Sequence, residues 1–317
     1  MSDPRRDARP TNNPTKDRAG QGMKSIMAIL TGIGTRMKGS AGDWTYARVG
    51  GSTIAKQKVE KKENPSRSFA QMARRVRWRN IQNLWASFSG TLRPSFEGRA
   101  ERVSDANAFI SANIGGAPVY LTKEEAKQGA CVVAAYEITN GSLPSIDVAA
   151  GTGGVPTSDI ALGNLVIDGD TTLKEFSDAV VDNNSGYVQG DQVSCYIAIQ
   201  EQNPVTGIPY VRIKAYEVTL NQRDEDTLLA DVVPADGFSS VDGKLGANGT
   251  VNGGIAWVHS RKEAGQTHVS TQRFYVNNAL LAQYQTAAKR IEAILSYGGK
   301  VSQLFLVPNT DMAIAAA

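Results

Sequence analysis

The chain has 317 residues, which is long enough for two domains or for one domain with a long arm. Its hydrophobic content of 41% excludes a wholly disordered protein. Its formal charge of +3 conceals an asymmetry, because residues 1–103 hold 21 Lys+Arg against 8 Asp+Glu, a balance of +13. Residues 104–317 hold 13 against 23, a balance of −10. A basic third on an acidic remainder predicts a polyanionic or acidic partner for the basic part.

The sequence disfavours a membrane-spanning or disulfide-stapled protein. No apolar run approaches the ~18 residues of a transmembrane helix, and the apolar stretch at 26–30 is shorter than a signal-peptide core. Cys131 and Cys195 lie in apolar, strand-like runs, which favours two buried thiols and leaves a disulfide between them open. We therefore expect a protein made in the cytoplasm.

Residues 1–22 form the first predicted region, an arm. They are polar, rich in Pro, Asn and Arg, and almost devoid of apolar side chains. Such a segment cannot bury enough apolar surface to offset the entropy lost on ordering. We expect this arm to be disordered alone and to become ordered only against a neighbouring subunit or a nucleic acid.

A β-hairpin is predicted over residues 43–59. Trp44, Tyr46 and Arg48 alternate along its first strand, and the Gly-Gly pair at 50–51 suits a tight turn with two positive-φ positions. The hairpin belongs to a second predicted region, residues 23–116, a basic hairpin-helix region.

The clearest helix of the chain is predicted to begin at Asn64-Pro65. Asn is a good N-cap, and Pro suits the first helical position. Apolar positions over 69–88 form a stripe that rotates around the axis, which indicates a bend near Asn80 or a broad buried face. A second, shorter helix is predicted over 105–114.

The acidic remainder has the pattern of a β-rich body. Candidate strands lie at 131–138, 162–168, 192–200, 210–220, 254–262 and 267–276, with the last two joined as a hairpin in which residue 261 is opposite residue 268. One helix is predicted over 172–183 and another over 277–297, where Asn277 or Asn278 is the N-cap. A closing strand at 301–307 is left open.

The predicted fold class is α+β. An N-terminal arm, a β-hairpin and basic helices precede an antiparallel β-sandwich-like body with a C-terminal helix, because short strands separated by Gly, Asp and Asn turns are typical of such sandwiches. The body is assigned to 117–276, with a division into two small subdomains near 200–225 left open. Residues 277–317 supply the C-terminal helix and tail.

The chain resembles a family of uncharacterised proteins of gut Bacteroidetes bacteria, their phages and mobile elements. The resemblance covers roughly residues 30–276 and is carried by the hairpin GSAGDWTYARVGGSTIAKQK and the following NPSRSFAQMARRVRWRNIQNLW. Looser support comes from TLKEFSDAVVDNNSGYVQGDQVSCYI and GGIAWVHSRKEAGQTHVSTQRFYV. The resemblance implies a phage or mobile-element setting and supplies no catalytic residues.

The basic third holds the main candidate contact surface. Four arginines crowd one and a half turns of the predicted helix around a tryptophan; arginine neutralises phosphates, and an interleaved aromatic ring stacks on bases or on guanidinium groups. Two alternatives to nucleic-acid binding stay open: the helix face is simply solvated, or it forms ion pairs with the acidic region of a neighbouring subunit. Any DNA contact should be to the backbone, since no base-reading motif is present. The candidate contact residues are Lys56, Lys58, Lys61, Lys62, Arg67, Arg74, Arg75, Arg77, Trp78 and Arg79.

No catalytic, cofactor or metal site is predicted. The two histidines, His259 and His268, would share a face of the predicted hairpin, but no third ligand is placed beside them, so ordinary core or surface histidines are favoured. The run at 151–154 lacks the Lys-Ser/Thr of a phosphate-binding loop. We expect a protein that is not an enzyme and binds no cofactor.

These features together predict a non-enzymatic structural protein of a phage particle, located in the virion and made in the host bacterial cytoplasm. Its basic region would bind neighbouring copies, other virion proteins or packaged nucleic acid, and no membrane. The alternative is a non-specific DNA-binding accessory protein of a bacterium or mobile element.

Overall fold

The computed structural model describes residues 27–30, 38–49, 52–58, 68–92, 94–100, 103–233 and 237–298. It divides the chain between Pro65 and Ser66 into two compact units. This division falls inside the region predicted at 23–116. The predictions for the arm at 1–22, for Lys61, Lys62 and Arg67, and for the closing strand at 301–307 lie outside the described residues.

The first unit contains a four-stranded antiparallel sheet in the order β1-β4-β3-β2. Its central pair is the predicted hairpin, which is confirmed: strand β3 pairs with strand β4 so that Val49 is opposite Ser52. Thr53 and Ala55 are buried, as expected for one face of a pleated strand. The strands are β1 Met27–Leu30, β2 Gly39–Ala41, β3 Trp44–Val49 and β4 Ser52–Gln57.

The second unit begins with a long helix, α1 (Phe69–Ser87). Ser68 is the N-cap of this helix, since it has extended backbone angles and its side chain accepts a hydrogen bond from the backbone N–H of Gln71. The start predicted at Asn64-Pro65 lies outside the described residues. The helix is continuous through Asn80, which is fully buried, so the rotating stripe reflects a broad buried face.

Short helices follow, and most have polar caps. Predicted helix 105–114 is confirmed as α2 (Asp105–Asn113), and predicted helix 172–183 as α4. Both α3 and α4 begin with a capping box, in which a threonine and a glutamate three residues later bond each other's backbone N–H groups. The remaining helices are α3 Lys123–Lys127, α4 Leu173–Asn183, α5 Leu229–Val232, α6 Leu281–Tyr284 and α7 Ala287–Ser296.

The strands of the second unit form antiparallel sheets. The largest has the order β13-β12-β8-β9, with β15 also paired to β12; the others are β10-β11-β7-β6 and β14-β5. The strands are β5 Glu137–Thr139, β6 Val148–Ala150, β7 Pro156–Ala161, β8 Gln192–Gln202, β9 Pro209–Thr219, β10 Ser239–Val241, β11 Lys244–Gly246, β12 Gly253–Glu263, β13 Gln266–Val269, β14 Gln272–Arg273 and β15 Tyr275–Asn277.

The largest sheet buries both faces. Tyr196 and Val258 lie in a core with helices α1 and α2 on one face, whereas Cys195 and Trp257 lie in a second core with helix α4 on the other. Because both faces are covered, strands β8 and β12 are apolar along most of their length instead of alternating. The predicted α+β class, with a β-rich antiparallel body and C-terminal helices, is confirmed.

The strand predicted at 131–138 is wrong except at its end. Residues 131–134 are buried outside every sheet; the N–H of Cys131 donates to the carbonyl of Pro209, and side-chain amides bond the backbone of the next two residues. Asn80 binds both the N–H of Val132 at 2.8 Å and its carbonyl at 2.9 Å. Gln200 accepts a hydrogen bond from the N–H of Val133 at 2.8 Å.

Three further element predictions need correction. The segment 162–168 is not a strand, since the chain turns at Gly163, where φ is +61°; the strand precedes it as β7. The strand predicted at 267–276 divides into β13, β14 and β15, because β14 pairs with β5 instead of β12. The helix predicted at 277–297 begins only at α6, and Thr286 caps α7. The side chain of Asn278 accepts a hydrogen bond from the backbone N–H of Leu280 at 3.0 Å, just before α6, and donates one to the carbonyl of Val133 at 3.0 Å.

Within the described residues, no helix combines the length and the apolar character needed to cross a membrane. Cys131 and Cys195 are both buried and form no disulfide.

Candidate polyanion-binding surface on helix α1

Helix α1 has an exposed face that carries three of the predicted arginines and the tryptophan between them. At 3.6 residues per turn, residues 74, 75, 78 and 79 lie on the side opposite the buried stripe. Arg74, Arg75 and Arg79 are exposed, and Trp78 is 37% exposed. We call these four residues the arginine face. The structure brings them together because the opposite side of α1, including Met72 and Val76, packs into the protein.

The charges of the arginine face have no carboxylate partner among the residues that the structure describes. Arg79 donates a hydrogen bond to the side-chain oxygen of Gln82 at 3.4 Å. Arg79 and Arg75 also lie near the neutral side chain of Tyr297, where they oppose the rise in the pKa of Tyr297 that burial causes. Elsewhere in the second unit, arginines do pair: Arg212 lies 2.8 Å from Glu201. The face is therefore a concentration of exposed positive charge in a unit that is otherwise rich in acidic residues.

Arg77 lies apart from the other three arginines. It is half-buried, and its Nε is covered without a hydrogen-bond partner among the described residues. Burial raises the pKa of the nearby Tyr136, and Asn80 and Arg77 both oppose that rise. Arg77 therefore belongs to the packed side of the helix, where its charge faces the core region.

Helices α3 and α7 pack beside α1 and compensate most of their own charge. Lys289 binds Glu125 at 2.8 Å and Glu292 at 3.4 Å. Lys127 binds Glu124 at 3.3 Å. These ion pairs contrast with the arginine face, whose guanidinium groups have no carboxylate partner among the described residues.

The predicted lysines of the hairpin belong to the first unit. Lys56 and Lys58 are exposed on and just after strand β4, and the ammonium group of Lys58 donates a hydrogen bond to the carbonyl of Gly42 at 2.5 Å. They are available to a partner on that unit.

A buried charge network was missed by the sequence analysis. Asp191 is 1% exposed and accepts hydrogen bonds from His259 Nε2 at 2.8 Å and from Arg261 Nε and Nη2 at 2.8 and 2.7 Å. Although burial opposes ionisation, the bonds from Arg261, the Val188 backbone and His259 lower the pKa of Asp191. Arg261 and His259 lie two residues apart on β12, but no local signal links them to an aspartate 68 residues earlier.

The two histidines do not form a metal site together. The predicted pairing of Arg261 with His268 is confirmed, yet His268 lies 3.1 Å from the Ser142 hydroxyl and 3.5 Å from a carboxylate oxygen of Glu97, whereas His259 binds Asp191. The described part of the chain contains no group of three or more His, Cys, Asp or Glu side chains arranged to hold a metal ion.

Comparison with known proteins identifies no relative. No protein-family model matches the chain, and neither the curated proteins nor the solved structures include a significant match. The resemblance to proteins of gut Bacteroidetes and their phages therefore stays a prediction.

Proposed function

We propose that the protein is a non-enzymatic structural component of a phage particle, and that its basic region binds packaged nucleic acid or a neighbouring subunit. The observation that supports this proposal most strongly is the arginine face. Three exposed guanidinium groups without carboxylate partners among the described residues flank an exposed indole ring. Such an arrangement suits phosphate neutralisation combined with stacking.

The charges and the tryptophan of the arginine face both favour a binding partner. Three like charges on adjacent turns of one helix repel each other, and a polyanion relieves that repulsion while releasing its own counterions. An exposed tryptophan is uncommon on a surface without a partner, whereas tryptophan and arginine are the residues most enriched at binding hot spots. The contacts would be to the nucleic-acid backbone and therefore independent of base sequence.

The test is the salt dependence of duplex DNA binding by the full chain. Each phosphate contact contributes about −0.9 to the slope of log K against log salt. Replacing Arg74, Arg75 and Arg79 together by alanine should therefore make the slope less steep by about 2.7. A variant with Arg99→Ala, Arg212→Ala and Arg273→Ala is the matched control, because each of these arginines binds a carboxylate in the second unit.

The two triple variants make the proposal falsifiable. Equal slopes for both variants would show that charge number alone matters and would remove the arginine face from the proposal. Assembly is examined separately, by sedimentation of the full chain with and without DNA. Regular multi-copy complexes support the structural role, whereas a monomer that binds DNA without assembling supports the alternative, a non-specific DNA-binding accessory protein.

A further inference from the structure

A cavity of about 370 Å³ lies in the second unit, away from helix α1. It is bordered by strand β7, by the segment 144–146, by the segment 183–187 after helix α4, and by strand β12. The lining includes His259, a side chain that is only 2% exposed. The volume is within the range of about 300–1,000 Å³ that is typical of small-molecule sites.

The hydrogen bonds of His259 determine which ring nitrogen carries the proton. Asp191 is ionised, since Arg261 binds both of its oxygens, so the carboxylate only accepts hydrogen bonds. His259 Nε2 lies 2.8 Å from Asp191 Oδ2 and must be the protonated nitrogen. Burial lowers the pKa of His259, an effect that the contact with Asp191 partly opposes, and the ring is therefore neutral near pH 7. Nδ1 then carries a lone pair.

The lone pair of Nδ1 has no partner within the described residues. Among the described residues, the side chain of His259 forms its hydrogen bond through Nε2 alone. Nδ1 is not one of the fully covered polar atoms without a hydrogen-bond partner, so it keeps some accessible surface. His259 lines the cavity, and its unpartnered Nδ1 is the acceptor that this side chain can offer to a ligand there. A buried acceptor in this situation favours a ligand that donates a hydrogen bond.

The histidine ring is held rigidly. Tyr187 stacks on it with ring centroids 4.2 Å apart and an interplanar angle of 24°. Arg261 also donates to the carbonyl of Gly186 at 2.9 Å, which fixes the segment that carries this tyrosine. An acceptor that is fixed in advance loses little entropy when a ligand binds.

The rest of the lining also offers acceptors and negative charge. Asp159 is exposed at the cavity and, together with Asp191, contributes to the raised pKa of Tyr187, whose main cause is burial. Among the described residues, no lysine or arginine belongs to the lining. Ile146 and Ile160 supply an apolar wall.

An adjoining cavity of similar volume extends the negative field. Its lining shares Asp159 with the first cavity and also includes Asp147 and Asp242. Lys244 is the one positively charged residue among the described lining residues. The described residues around both cavities therefore carry three carboxylates and one ammonium group. A cation is attracted to such a concave, acidic region, because its low-dielectric walls focus the field.

We propose that the His259 cavity binds the ammonium or guanidinium group of an organic cation. His259 Nδ1 and the Asp159 carboxylate accept N–H hydrogen bonds from the ligand, and Tyr187 and the isoleucines contact its aliphatic part. The same chemistry is offered by a free amine and by a Lys or Arg side chain of a second copy. The proposal is independent of the arginine face and of nucleic-acid binding.

The primary experiment is nitrogen NMR of the full chain labelled in histidine, titrated with arginine amide at pH 7.5. The chain has only two histidines, and a His268→Gln variant assigns their signals. We expect His259 to be the Nε2–H tautomer without ligand and its Nδ1 signal to shift as arginine amide binds. An Nδ1–H tautomer, or no shift of Nδ1 at saturating ligand, would overturn the proposal.

Exposed carboxylates allow a matched pair of variants that leaves the core intact. Asp159→Asn should weaken arginine amide binding by about tenfold, since a hydrogen bond to a charged group is lost. Asp170→Asn removes an exposed carboxylate that does not line either cavity and should leave binding unchanged. Equal weakening by both variants would contradict a specific site, and so would displacement of arginine amide by acetate.

Sedimentation of the full chain identifies the source of the bound group. If arginine amide dissociates self-associated protein and Asp159→Asn does the same, the natural ligand is a side chain of a second copy. If arginine amide binds without changing the association state, the ligand is a free cation. Both outcomes support the cation site.

Discussion

The side chain of Asn80 holds a buried segment that has no strand partner, and its removal gives the sharpest test of the fold. Asn80 is fully buried; it bonds the N–H and carbonyl of Val132 at 2.8 and 2.9 Å, and donates to the Tyr136 hydroxyl at 2.8 Å. Asn80→Leu keeps the approximate size but leaves three buried polar groups without this partner. At about 1–3 kcal/mol for each of the three groups, we expect the free energy of unfolding to fall by about 3–9 kcal/mol.

Urea unfolding, followed by far-ultraviolet circular dichroism, measures this loss. The slope of the unfolding free energy against urea should stay unchanged, which shows that the midpoint shift reflects stability. Gln82→Leu on the same helix is the control and should change stability by no more than about 0.5 kcal/mol, because Gln82 is half-exposed and makes one long hydrogen bond with Arg79. A loss below about 1 kcal/mol for Asn80→Leu would refute the reasoning.

Three further predictions concern buried positions. The pKa of His259 is lowered by burial, so the unfolded chain binds a proton that the folded chain does not; stability should fall as pH decreases below about 6.5, by at most about 1.4 kcal/mol per pH unit, in urea titrations compared with His259→Gln. Gly253→Ala should destabilise by about 2–4 kcal/mol in the same assay, since φ is +139° and a Cβ would overlap a carbonyl of β8; a neutral result would contradict this packing. Cys131 and Cys195 should react with a thiol reagent only at the rate of unfolding, because both are buried and burial raises the pKa of Cys131; fast labelling of native protein would show that they are accessible.

Elements with strong local signals could be predicted from the sequence. The hairpin over β3 and β4 follows from alternation on both sides of a Gly-Gly turn. Helix α4 follows from its capping box and its apolar stripe, and β8 and β12 from long apolar runs. These signals are local, so a few neighbouring residues are enough to define each element.

The candidate sites were predictable to different degrees. The arginine face follows from helical spacing around Trp78, although only the structure shows that Arg77 lies on the packed side. The cavity was not predictable, since its lining combines His259 with the distant segments 144–146 and 183–187. Long-range contacts of this kind leave no periodic trace in the chain.

The sequence by itself determined the charge division, the helix and hairpin signals and the α+β class. Only the tertiary structure decided that residues 131–134, apolar enough for a strand, stay outside every sheet. The physical reason is that a buried backbone needs hydrogen-bond partners, not a particular kind of partner. The side chains of Asn80, Gln200 and Asn278 meet that need from positions far away in the chain.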